Sequence, residues 1–309
     1  MPRRFVYDAQ AAMTFLEHQA SFHKREVNEI RYPEIQYSKL MPIDRNIPEW
    51  AKSVTYYSID QTGKAEWVSL IADDIPLADR LLAQHEEAIF SAAIGYGYGY
   101  EELQQAIWLA QPLTAQRAAA ARRAAEEFID MKALWGDTSK GWEGLFNNTN
   151  VPTDSPITGD WPTATSAKQI LADVNYALTS LGGNTLYSVL GDTLVLSDAR
   201  FDLLATTILD NTDRTLLSII QDANVYTART RQPLNIMSAR GLDTAGAGDT
   251  QRMMAYRNRP DTVVFYLPMA HRFLPVFQTG PLRFIVPGIL RIGGVDFKRP
   301  LEGIYIDGI

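Results

Sequence analysis

The sequence predicts an α+β fold, and three observations carry that prediction. The run Ala115–Leu134 consists almost wholly of strong helix formers and is followed by Gly136 as a left-handed stop. Two strand-like runs, Val54–Ile59 and Ala65–Leu70, precede it as a hairpin. After it, helical and strand periods alternate from Thr165 to Gly280, and strand-forming residues then continue to Ile309.

In chain order, Met1–Trp50 is polar and mixed. Ala12, Phe15, Leu16, Gln19 and Phe22 share one side of a short helix over Ala9–His23, while Pro33, Pro42 and Pro48 punctuate an extended remainder. A terminus of this kind has no core of its own. Its aromatics (Phe5, Tyr7, Phe15, Phe22, Tyr32, Tyr37) predict that it lies against something. In the hairpin, Asp60-Gln61-Thr62-Gly63 reads as the turn. Nothing nearby covers both faces, so it is either an ordinary sheet hairpin or an arm that pairs with another chain. Leu77–Phe90 has helical composition, and Glu87–Tyr100 then looks extended, with tyrosines on one face and glycines on the other. The Gly-Tyr run is not a dinucleotide loop, because G-x-G-x-x-G requires glycine at position 100, where Tyr100 stands. A short helix begins over Glu101–Ala110.

Pro112 marks the approach to the long helix and Thr114 is its N-cap. The helix spans roughly 30 Å at 1.5 Å per residue. Ala121, Ala125, Phe128, Lys132 and Trp135 recur on one side, and Arg122–Glu126 and Arg123–Glu127 are i,i+4 pairs worth about 0.3 kcal/mol each. So much alanine buries little area, which predicts a surface-facing rod rather than a core helix. Its charges either solvate a face or contact neighbours.

Asn150–Pro162, with three prolines, is the best internal boundary. Beyond it the pattern predicts a helix over Ser166–Leu181 ended by Gly182-Gly183, a buried strand over Asp192–Leu196, and a helix over Asp198–Thr206 capped by Ser197. A helix over Thr212–Asp222 and strands over Asn235–Ala239 and Thr262–Leu267 follow. Leu242–Thr250 reads as an exposed flexible loop; it has glycines but no following Lys-Ser/Thr to make a phosphate loop. From Leu282, strands broken by Pro287, Gly293-Gly294, Pro300 and Gly308 run to I-Y-I-D-G-I, which predicts a C-terminus tied into a sheet.

Composition narrows the function classes. The chain of 309 residues has a net charge of −7, which argues against a dedicated nucleic-acid binder, and no cysteine, which removes disulfides and thiolate chemistry. None of the four histidines (His18, His23, His85, His271) falls at metal-ligand spacing. No apolar run reaches the roughly 18 residues of a membrane span, and Met1–Asp8 lacks the apolar core of a signal peptide. No G-x-S-x-G, no singled-out carboxylate pair and no metal cluster stands out; Asp73-Asp74 reads as solvating a turn, and Lys64 as an exposed nucleophile or, the favoured reading, a solubilising residue. No catalytic residue, cofactor or metal is therefore assigned.

Several segments, in order, resemble one family. Tyr98-Gly99-Tyr100-Glu101-Glu102-Leu103 is similar to its aromatic-x-x-x-Glu-Leu segment, and Pro112-Leu113 with Arg117–Glu126 to its spine helix. Leu134-Trp135-Gly136-Asp137 and Gly144-Leu145-Phe146-Asn147-Asn148 resemble the segment after that helix, and Pro287, Gly293-Gly294-Val295 and Asp307-Gly308-Ile309 its closing strands. The family is that of tailed-bacteriophage major capsid proteins, with the Hong Kong 97-type fold shared with encapsulins. The resemblance covers nearly the whole chain.

The resemblance implies residues 1–50 as an N-terminal arm, 51–75 as the extended E-loop hairpin and 76–160 as a peripheral domain with the spine helix at about 114–135. Residues 161–280 would be an axial α/β domain, and 281–309 strands returning to the periphery. It implies a non-enzymatic shell subunit that self-assembles as pentamers and hexamers into an icosahedral head. The head would form in the host cytoplasm and enclose double-stranded DNA without sequence-specific binding. Partners would be copies of itself, with separate portal, scaffolding or decoration proteins, and no membrane. Candidate inter-subunit contacts are Tyr57, Ile59, Lys64 and Trp67 of the hairpin, and Arg117, Arg122, Arg123, Glu126 and Glu127 of the spine helix. The alternatives are an encapsulin-like compartment and, from another class, an α/β enzyme with its site around Asp243–Asp249.

Overall fold

A five-stranded sheet divides the molecule into two cores. In this computed structural model, which describes residues 32–62, 79–108, 113–161, 166–208 and 212–309, its strand order is Asn235–Ser238, Thr193–Leu196, Arg252–Tyr256, Gly303–Asp307, Thr153–Asp154. The two outer pairings are parallel and the two central ones antiparallel. The three central strands are buried along their whole length. Their side chains alternate between the faces, as a strand's period of two requires. Leu194, Leu196, Met253, Ala255, Ile304 and Ile306 pack with the helix Ala167–Asn184. Val195, Met254, Tyr256 and Tyr305 face the other core, which holds the long helix. Burial on both faces explains why these strands read as continuous apolar runs rather than alternating ones.

The long helix runs from Leu113 to Trp135. The expectation of a surface rod is corrected: Ala121, Ala125, Ile129, Ala133 and Leu134 are buried. The alanines supply little area themselves, but they let Ile129 and Leu134 reach Phe146, Phe265 and Tyr256 in one core. The predicted face through Phe128, Lys132 and Trp135 lies beside this stripe and is half-buried. Just past the helix, Gly144 lies against its last turn. A Cβ there would stand 2.3 Å from the Leu134 carbonyl oxygen, and Leu145 and Phe146 donate back to the carbonyls of Ala133 and Leu134 at 3.0 Å each.

Asp130, on this helix, is buried among polar partners. Its Oδ1 accepts from the backbone N–H of Gln36 at 2.9 Å and of Tyr37 at 2.8 Å, and its Oδ2 from the Arg240 guanidinium at 3.2 Å. It thus caps the helical turn Tyr37–Leu40, whose Tyr37, Leu40 and Met41 are buried in the core. The expectation that this stretch is extended is corrected over those four residues. Residues 35–309 form one unit and 1–34 another, of which only Tyr32–Glu34 are described. The proposed helix over Ala9–His23 lies outside the described residues.

The hairpin differs from its sequence reading. Strand Ser53–Thr62 pairs antiparallel with Asp79–Ala88, from Ser53↔Ala88 to Thr62↔Asp79. Asp60–Thr62 therefore belong to a paired strand rather than a tight turn, and the helical reading of Leu77–Phe90 is corrected to strand over Asp79–Ala88. Ten backbone pairings outweigh the local helical preference of Leu, Ala, Gln and Glu, which amounts to only a few tenths of a kcal/mol per residue. The strand reading of Ala65–Leu70 lies outside the described residues.

Elsewhere the helices Asp198–Thr206, Leu216–Asp222 and Val225–Thr230 begin at Ser197, Thr215 and Asn224, each side chain accepting from a first-turn N–H. The helix Ala167–Asn184 runs through Gly182-Gly183 instead of stopping there. Gly182 lets Tyr187 and Leu190 pack closely, to 3.0–3.2 Å of where a Cβ would be. The loop 242–250 is not free. Gly246 donates to the Thr250 carbonyl at 2.9 Å, and Ala247 to Asp307 Oδ2 at 3.1 Å. Asp307 is itself held bidentately by buried Arg252, at 2.6 and 2.8 Å.

Candidate assembly surface

The hairpin Ser53–Thr62/Asp79–Ala88 is a two-stranded sheet of its own. On one face Tyr57 is 59% exposed, opposite Gln84, and Leu82 is exposed opposite Ile59. Among the described residues, no second layer covers these two large apolar side chains on the two-stranded ribbon. Tyr56 points the other way, stacks on His85 at 5.0 Å, and donates to Asp296 Oδ1 at 3.1 Å. Lys64 and Trp67 lie outside the described residues.

The hairpin's root is pinned. Ile89 N–H donates to the Lys52 carbonyl at 2.8 Å. Buried Arg291 holds the carbonyls of Glu49 and Ala51, the latter at 2.8 Å, and lies 5.5 Å from the centre of the Trp50 ring. Beneath the root is a cavity of about 220 Å³ whose lining includes Glu87, Glu143 and Asp296. Burial, with Asp296 and Glu143 nearby, pushes Glu87 up to about 7. Burial also raises Asp296, against its hydrogen bonds from Tyr56 and Tyr266.

The charged candidates on the long helix divide. Arg117 pairs with Glu102 and reaches the Gly97 carbonyl, so it ties the helix to the Tyr-Gly strand Tyr96–Gly99. On that strand Tyr96 meets Phe273 edge-on at 5.4 Å and Tyr98 stacks on Phe284 at 5.7 Å. Glu126 accepts from the Tyr37 hydroxyl at 3.1 Å, and burial together with that carboxylate pushes Tyr37 up to about 12. Arg123 and Glu127 pair at 2.9 Å on the exposed side. Arg122 stands with Arg123 and Glu126 at a groove of about 470 Å³ formed by Ala115, Ala118, Ala119 and Phe273.

Other outward apolar residues went unread in the sequence. Phe277 is 64% exposed beside Val276 and Leu282 on the strand pair Phe277–Gly280/Arg283–Val286, and Trp108 is 83% exposed at the end of helix Tyr100–Trp108. Leu186 is 90% exposed, and both it and Tyr187 hold left-handed backbone, φ 51° and 57°. The turn is fixed by the single hydroxyl proton of Thr185, which has the carbonyls of Leu181, Gly182 and Val189 within reach at 3.0–3.2 Å, and by Arg229 over the Tyr187 ring at 4.7 Å. A bulky residue in that conformation costs about 1–2 kcal/mol. The signal available was the run Gly-Gly-Asn-Thr-Leu-Tyr, where apolar residues follow helix-stop residues.

Among the described residues no group of three or more His, Asp or Glu is placed to hold a metal, and no helix is long and apolar enough to cross a membrane. Around Asp243–Asp249, the contacts described above are structural ones to Asp307 and Thr250.

A family model described as major capsid protein matches residues 63–309. Comparison with curated proteins gives no match. Among solved structures, the capsid of Myoviridae phage XM1 superposes with a TM-score of 0.80 at 15% identity, covering 94% of this chain and 98% of that one. The capsid of a native GTA particle gives 0.62 at 12% identity over 98% and 99%. The virus-like particle from Pyrococcus furiosus gives 0.53 at 14% over 87% and 91%. At these identities the structures establish the shared Hong Kong 97-type fold, and the family model, spanning most of the chain, establishes kinship. The chain belongs to the major capsid protein family and is a structural subunit of a self-assembling shell.

Proposed function

We propose that copies of this chain close as pentamers and hexamers into an icosahedral phage head. The head encloses double-stranded DNA without reading its sequence, and the chain performs no catalysis. What carries this reading is the family match over 63–309 together with a hairpin whose Tyr57 and Leu82 are exposed among the described residues. In a closed symmetric shell such residues bury on neighbouring copies. The net charge of −7 fits enclosure of DNA rather than tight binding to it. In this reading residues 1–50 are an arm, the hairpin from Ser53 reaches over a neighbour, 76–160 lie at the periphery and 161–280 around the symmetry axes. Tyr57, Ile59, Lys64, Trp67, Arg122, Arg123 and Glu127 remain proposed contacts, joined by Leu186, Phe277 and Trp108. Arg117 and Glu126, with partners in their own subunit, act chiefly within it. Assembly takes place in the host cytoplasm, with portal, scaffolding or decoration proteins as separate chains.

Negative-stain microscopy of the purified chain tests the proposal: hollow particles are expected, and deletion of Asp60–Lys64 should abolish them while leaving the subunit folded. A stable monomer under every condition tried would overturn it. Particles holding protein cargo instead of nucleic acid would favour the encapsulin-like alternative.

A further inference from the structure

The hairpin stands on its acidic cavity through side chains from three elements. Glu87 comes from the returning strand, Glu143 from Trp142–Glu143 and Asp296 from Val295–Phe297. Asp296 accepts from Tyr56 of the hairpin at 3.1 Å and from Tyr266 of the body at 3.2 Å. Glu143 accepts from Thr149 N–H at 3.0 Å and from its hydroxyl. The basic side chains nearby are Lys298, 5.8 Å from both tyrosine rings, and His85, stacked on Tyr56; Lys140 lies over the Phe90 ring at 4.7 Å. Asp44 adds negative charge beside Tyr266. Neither Glu87 nor Glu143 has a basic partner among these contacts. The pivot is defined separately, by Arg291 on the carbonyls of Glu49 and Ala51 and by the Ile89–Lys52 bond.

We propose that the hairpin root is a proton-coupled hinge: with Glu87 protonated the hairpin stays seated against Asp296 and Glu143, and ionised Glu87 swings it away about the Arg291-held pivot. The sign follows from burial and like charge, which raise Glu87 in the seated form above its ordinary 4.5. Seating is therefore strongest below pH 4.5, weakens as pH rises, and loses nothing further above about 7. The inference concerns one subunit and holds whatever the shell encloses.

Because the chain has no cysteine, two spin labels can be placed cleanly at Gln84→Cys on the hairpin and Ala199→Cys on helix Asp198–Thr206, both exposed positions. Labelled chain is diluted into excess unlabelled chain, and the distance distribution is measured by pulsed electron resonance at pH 5 and pH 8. A second distance should grow between the two, with the population ratio changing at least about tenfold, the size expected for a group whose pKa differs by more than one unit between the forms. Glu87→Gln should hold the pH 5 distribution at both values, and Glu143→Gln should shrink the second population at pH 8. One unchanged distribution in the parent pair overturns the hinge, as does a pH response that survives Glu87→Gln. Loss of shells with the pH response intact would count against the assembly reading alone.

Discussion

Asp130→Ala is the perturbation whose cost can be worked most directly. The substitution removes the acceptor for the N–H groups of Gln36 and Tyr37, and the partner of Arg240. Tyr37 is buried, so its orphaned N–H costs about 1–3 kcal/mol; Gln36 is half-buried, and water recovers part of its loss. The Arg240 pair, with its guanidinium partly exposed, adds less than about 1 kcal/mol. The expected destabilisation is therefore about 2–4 kcal/mol. Asp130→Asn keeps an acceptor at Oδ1 for both N–H groups but puts an amide donor where Oδ2 accepted from Arg240, so it should cost about 1 kcal/mol. Urea unfolding of the unassembled subunit, followed by tryptophan fluorescence, reads both. Were Asp130→Ala within about 0.5 kcal/mol of the parent, or Asn as damaging as Ala, the capping argument would be wrong.

Arg252→Met strands the Asp307 carboxylate in a buried site and should cost about 3–5 kcal/mol, with loss of hydrogen-exchange protection in residues 246–250. Gly144→Ala drives a methyl into the Leu134 carbonyl and should cost about 1–3 kcal/mol in the same urea assay. The double change Tyr57→Ser with Leu82→Ser should leave subunit stability within about 0.5 kcal/mol while cutting particle yield several-fold, measured by sedimentation. Leu186→Asn relieves left-handed strain and should raise subunit stability by about 0.5–1 kcal/mol while lowering particle yield, a trade of stability for function.

What the sequence made legible was local. Leu113–Trp135 and Asp198–Thr206 lie within a residue or two of their expected bounds, because capping residues, alanine content and stop signals act within a few positions. The return strand Asp79–Ala88 was misread because its Leu, Ala, Arg, Gln and Glu residues favour a helix locally, while its pairing with Ser53–Thr62 is set by a partner beyond any local window. The long helix was oriented outward in the sequence reading because alanines reveal nothing about what they face. Asp130 meets residues 93 and 94 positions away, and Arg252 meets one 55 away. The outward residues Leu186, Phe277 and Trp108 were invisible because exposure of an apolar side chain is a property of the folded surface, not of composition.

The central sheet also sets a schedule. Its strand Gly303–Asp307 lies between Arg252–Tyr256 and Thr153–Asp154, and divides both cores. Without that strand, Met253, Ala255, Val151 and Phe146 have no finished layer to rest on. Both cores therefore stay open until that strand pairs with its two neighbours. Completion of both cores then waits on non-local pairing, the slowest kind of contact for a chain to close.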